Sequence, residues 1–144
     1  MSGVFGSIIK LDLVLILMLI SIAGCSSKPT IKLYPVQGKL LVSGQPVIGA
    51  VVGFHPVAGD FDDKGTRPAG VVGDDGSFKV STFGVNDGAP AGEYTLSIFW
   101  PQFPGKDDPG PDRLKGKYAN PKTSNIRVKV EEQANELDVL DLKK

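Results

Sequence analysis

From Tyr34 onward, apolar and polar residues alternate in short runs, each closed by Gly, Pro, Asn or Asp. Successive side chains on a strand point to opposite faces, so this pattern predicts half-buried β-strands joined by turns. The first strand is expected over Tyr34 to Val42, turning through Ser43-Gly44-Gln45-Pro46 into a second over Val47 to His55. In the second, Ile48, Ala50, Val52 and Phe54 fall on the expected core face, with Val47, Gly49, Val51, Gly53 and His55 opposite. After an Asp- and Gly-rich loop over Ala58 to Arg67, Ala69 to Gly73 and Phe78 to Phe83 flank Asp74-Asp75-Gly76-Ser77, where Gly76 can supply a positive φ. Gly92 to Trp100 is the strongest strand, with Tyr94, Leu96, Ile98 and Trp100 on one face. Farther on, Ile126, Val128 and Val130 alternate with Arg127 and Lys129, and Glu136 to Leu142 closes the chain after a turn at Glu132 to Asn135. No stretch sustains a helical period. About seven strands at this spacing predict an all-β, Greek-key sandwich over residues 33–144.

The residues before this region follow another pattern. Lys10 gives a weak positive charge, Leu13 to Ile20 is wholly apolar, and Ser21 to Gly24 shrinks in size before Cys25, the tripartite form of an export signal. Residues 1–24 are expected to be a cleaved signal peptide. The string Ile22-Ala23-Gly24-Cys25 resembles a bacterial lipobox, which implies a diacylglyceryl group on the Cys25 thiol and fatty-acid (palmitate-type) anchoring. The apolar run is short for a membrane span, which takes roughly 20 residues. Asp12 is irregular in such a signal, leaving open an ordinary secretory peptide or a start other than Met1. Each buried acyl CH₂ contributes about 0.8 kcal/mol, so two or three chains hold a small domain firmly. Ser26 replaces the aspartate that, in the lipoproteins this resembles, favours the inner membrane, so the outer membrane of the cell envelope is the expected address. Residues 25–32 read as a lipidated tether.

Composition narrows the function classes. The 144-residue chain carries 16 basic and 16 acidic residues, and this balance provides no field for nucleic acid, so no such partner is expected. Eighteen Gly and 11 Pro suit many turns, and a single Cys leaves no intramolecular disulfide.

Gly38-Lys39-Leu40, Gly44-Gln45-Pro46-Val47, Gly49-Ala50, Val51 to Phe54, Asp74-Asp75-Gly76-Ser77-Phe78 and Ala91-Gly92-Glu93-Tyr94 stand in an order and spacing that resembles the carboxypeptidase regulatory-like domain, a transthyretin-like sandwich. The resemblance covers Val36 to Trp100. The segment Gly110 to Pro121 is similar to one in small bacterial lipoproteins carrying this domain. The resemblance implies a non-catalytic module: a binding or structural element of the envelope, in contact with a protein or polysaccharide, or an accessory docked on a peptidase or other hydrolase. The same fold hosts a hydrolase of an oxidised urate product, but that enzyme needs several histidines and a particular C-terminal end. This chain has one His and ends Leu140-Asp141-Leu142-Lys143-Lys144.

Candidate chemistry is correspondingly sparse, and neither catalytic residues nor a cofactor are expected. His55 with Ser43 or Ser77 and an aspartate would supply triad residue types, but lone histidines and turn serines more often serve the backbone. Asp60, Asp62 and Asp63, and likewise Asp107, Asp108 and Asp112, offer the hard oxygens Ca²⁺ prefers, without EF-hand spacing and beside Lys64, Arg67, Lys106 and Arg113. They read as solvated loop charge, with the Asp60 group the weak metal candidate. The loop Pro101 to Arg113 is long for a compact domain, and such loops are functional or disordered. Trp100, Phe103 and Tyr118 are the candidate ligand contacts, as an aromatic platform for a sugar or extended peptide; the alternative is that Trp100 and Phe103 complete the core.

Overall fold

The structure, a computed structural model, describes residues 30–144. The expected signal peptide, the expected lipidation site at Cys25 and most of the expected tether lie outside the described residues. Ile31–Lys144 forms a compact unit. Its apolar core, from Tyr34 to Leu142, is complete within it, so it is a folding unit in its own right.

The described residues are all-β, without helix, in nine strands: β1 (Val36–Val42), β2 (Gln45–Pro46), β3 (Val51–Pro56), β4 (Ala69–Val71), β5 (Ser77–Ser81), β6 (Gly92–Phe99), β7 (Arg127–Val130), β8 (Asn135–Glu136) and β9 (Leu140–Leu142). The pairing order is β2-β1-β5-β4-β3-β6-β7, all antiparallel, with β8 and β9 alongside β1 in parallel. The sheet curls until its ends approach. Arg127, Val128 and Lys129 of β7 share a cleft of about 370 Å³ with Glu136, Leu137 and Leu140 at the opposite margin.

Nine strands stand where about seven were expected because β2 forms at Gln45–Pro46, where a turn was expected, and the expected last strand divides in two; the expected second strand also breaks, keeping only its later part as β3. The first break follows from Gly49. Its φ of +79° is open to glycine but strained for other residues, and Ala50 N closes a turn onto Val47 O. That turn spoils the alternation expected over Val47 to His55. Val47 becomes fully buried, while Ile48, assigned to the core face, is 50% exposed. The second break falls between Glu136 and Leu140, where Val139 turns outward and the expected last strand becomes β8 and β9. Tyr34 forms an isolated bridge with Ala89 ahead of β1.

The turns obey their chemistry. Val42 pairs with Gln45 across Ser43-Gly44, whose φ values of 51° and 76° match a two-residue hairpin loop with the twist of its strands. Gly76, at φ 84°, completes the β4–β5 turn, and the Asp75 carboxylate accepts from Ser77 N and Oγ. On β6 the Tyr94, Leu96 and Ile98 side chains are buried against Phe54, Val52 and Leu40, and each such side chain contributes about 1.5–3 kcal/mol. Tyr94 meets Phe54 edge-on, 5.8 Å between centroids, and its hydroxyl donates to Pro90 O at 2.7 Å. Burial pushes the Tyr94 pKa up to about 12.

Candidate functional site

The chain enters the fold at the Tyr34–Ala89 bridge, beside Gly92 at the start of β6. Eight residues later β6 delivers Phe99 and then Trp100 to the opposite end, about 25 Å away for an extended strand. Val42, at the far end of β1, pairs there with Leu142, and the Trp100 indole N–H donates to Ile48 O at 3.3 Å. The candidate contact residues therefore lie at the end of the sheet remote from the Tyr34–Ala89 bridge.

The segment from Pro101 to Arg113 is folded, contrary to the structureless connection its length implied. Pro101 bridges Asp112, Gln102 N donates to Pro111 O, and Phe103 N donates to Pro109 O, so the two limbs run as an irregular hairpin. Asp112 organises its base. One carboxylate oxygen accepts from Trp100 N and Leu114 N, each at 3.0 Å, and the other accepts from Gly116 N at 2.9 Å. Arg113 closes the loop from above, its guanidinium 4.0 Å from the Trp100 ring centroid.

The three candidate aromatics behave differently. Trp100 is half-buried, packed on the core and capped by Arg113. Tyr118 also packs partly on the core, and its hydroxyl donates to Lys143 O at 3.0 Å. Phe103 remains 51% exposed near the loop tip, with Gly110 close beneath its ring. Trp100 follows the core alternative for most of its surface, whereas Phe103, expected under that alternative to fold back, projects outward; Tyr118, for which no core role was expected, is also mostly covered. Beside Phe103, near the loop tip, Gly49 makes room for Pro104, whose side chain occupies the space a Cβ would need.

His55 is joined neither by Ser43, in the β1–β2 turn, nor by Ser77, at the start of β5. Its Nε2 lies 2.8 Å from Ser97 Oγ on the neighbouring strand β6. Gly53 pairs with Ser97, and a Cβ at position 53 would crowd both the serine oxygen and the imidazole. Burial, then the Arg67 charge, holds the His55 pKa below its ordinary value. Among the described residues no carboxylate hydrogen-bonds the imidazole, so the pair lacks the orienting acid of a triad. Sequence reasoning missed Ser97. Its available signal was a small polar residue on the outward face of the strongest strand.

The acidic loops serve their own backbones. Asp60 pairs with Arg67 at 2.6 Å, while Asp62 accepts from Thr66 N at 2.9 Å and from the Thr66 hydroxyl. The Thr66 hydrogen bonds hold the Asp62 carboxyl below its usual range. Asp63 is exposed. Asp108 accepts from Gly110 N, and Asp112 is occupied as described. Among the described residues, no group of three His, Cys, Asp or Glu is placed to hold a metal ion.

No family model matches the chain, and no curated protein matches it. Among solved structures it is similar to a 9R-lipoxygenase from Cyanothece PCC8801, with a TM-score of 0.40 and 20% identity over 81% of this chain and 17% of that one. A likeness that slight, to a chain of which this one spans so small a part, carries no argument about fold or function.

Proposed function

We propose that this chain is a lipid-anchored, non-enzymatic binding module of the bacterial cell envelope, whose contact surface is the Trp100 to Arg113 end of the sheet. The observation that carries the reading is the construction of that loop. Asp112, Arg113 and Trp100 fix its base, and Phe103 stays exposed near its tip. A pre-ordered loop loses little entropy on binding, so its exposed aromatic can be used for affinity.

The finer fold assignment is a transthyretin-like, Greek-key sandwich of the carboxypeptidase regulatory-like type. Two features support it: the hydrogen bond from Tyr94 back to Pro90 resembles the tyrosine corner of Greek-key sandwiches, and β9 returns from far along the chain to lie beside β1. Anchoring through Cys25 rests on the lipobox-like sequence, and placement at the outer membrane rests on Ser26.

Labelling cells with radioactive palmitate tests the anchor. Incorporation into the parent chain and loss in Cys25→Ser is the expected result, and equal labelling of both overturns it. Co-purification of a peptidase from membranes, abolished by Phe103→Ala, would make the module an enzyme accessory rather than a glycan binder.

A further inference from the structure

We propose that a cleft beside the C-terminal residues binds phosphate groups, whether carried by an anionic polymer or by a lipid headgroup. The cleft, about 410 Å³, is lined by Arg113, Leu114, Lys115, Lys117 and Lys144. The chain as a whole carries no formal net charge, so this collection of cations is local. The ion pairs among the described residues are Arg67–Asp60 and Lys129–Glu131, and neither lies at the cleft. Of the acids nearest in sequence, Asp112 accepts from three backbone N–H groups, two of them in the turn that carries Lys115, and Asp141 accepts from Gly44 N at 3.0 Å, so neither forms an ion pair with the cleft's cations.

The cations are held in place before any ligand arrives. Arg113 lies on the Trp100 ring, leaving the guanidinium edges as a fork suited to two phosphate oxygens. Lys115 sits at φ 54° in a turn closed by Lys115 N to Asp112 O and Lys117 N to Leu114 O. Lys117 Nζ and the Tyr118 hydroxyl both donate to Lys143 O, which ties the C-terminal residues against the cleft. Fixed donors lower the ordering cost of binding.

The cleft adjoins the Val42–Leu142 end of β1, and the chain enters beyond the other end, seven residues or about 20 Å away. Phosphate binding does not depend on the anchoring proposed above.

The test is thermal unfolding of residues 31–144 with sodium tripolyphosphate at low ionic strength, against sodium chloride of matched ionic strength. A saturable rise in Tm is expected, weakening as salt is raised from about 0.01 to 0.15 M and the screening length shortens. Combined Lys115→Gln and Lys117→Gln, which leaves the Arg113–Trp100 stack intact, should weaken binding severalfold, and adding Arg113→Gln should bring the loss to about tenfold. No shift, or a shift undiminished in both variants, overturns the site. Binding to tripolyphosphate alone identifies a polymer as the source and binding to phosphatidylglycerol vesicles as well identifies a headgroup, whereas binding to the vesicles without any tripolyphosphate effect overturns recognition of the phosphate itself. Because the anchor is absent from this fragment, these results are independent of the palmitate experiment.

Discussion

The Arg113 guanidinium lies over the Trp100 indole, and the two residues are also joined by Arg113 N donating to Trp100 O at 2.8 Å. This double tie closes a loop whose limbs otherwise share few hydrogen bonds. Arg113→Ala is expected to cost about 0.5–1 kcal/mol in urea unfolding, the range of an exposed cation–π contact. Asp112→Ala leaves three backbone N–H groups without their acceptor and should cost more, about 1–3 kcal/mol, with faster protease cleavage between Gln102 and Pro111.

Two glycines with similar φ separate backbone strain from crowding. Gly44, at φ 76°, has nothing within 4 Å of a built Cβ, whereas Gly49, at φ 79°, is overlaid by Pro104. Gly44→Ala is expected to cost about 1–2 kcal/mol from the left-handed backbone alone. Gly49→Ala should cost clearly more and displace the loop; equal costs in chemical denaturation would show that Pro104 does not press on Gly49.

His55 gives the domain a pH dependence of definite sign. Its folded pKa lies below the unfolded value of 6.5, so the folded state prefers the neutral ring. The stability it contributes is present above pH 6.5 and falls as pH drops from there toward the lower folded value. His55→Gln should flatten that part of the stability–pH curve, and NMR titration of the single imidazole should place its midpoint below 6.5.

Tyr94 anchors the start of β6. Tyr94→Phe keeps the ring against Phe54 but leaves Pro90 O unpaired, and it should cost about 1 kcal/mol. In the parent, absorbance titration should show one phenol ionising near 12.

The strand content was legible because the signal is local: the Tyr94, Leu96 and Ile98 alternation and the Asp74–Gly76 turn are each set by neighbours in sequence. The breaks at Val47–Ala50 and beyond Glu136 were not, because Gly49 takes its left-handed φ beneath a proline 55 residues along the chain. Alternation therefore misassigned Ile48. Trp100, Phe103 and Tyr118 were found by residue type, but type could not say which would stay exposed. Arg113, Asp112 and Ser97 acquire their roles only when strand pairing and the folded loop bring them to Trp100 and His55.

The claim that the loop end recognises an envelope ligand is tested most directly by thermal unfolding of residues 31–144 with peptidoglycan and polysaccharide fragments, beside Phe103→Ala. Phe103 is half-exposed, so its truncation should scarcely change Tm without ligand. The account predicts a saturable rise for one fragment class, about 2.7 kcal/mol at 100 times its Kd, lost in Phe103→Ala. No rise with any fragment, or a rise that Phe103→Ala retains in full, would contradict it.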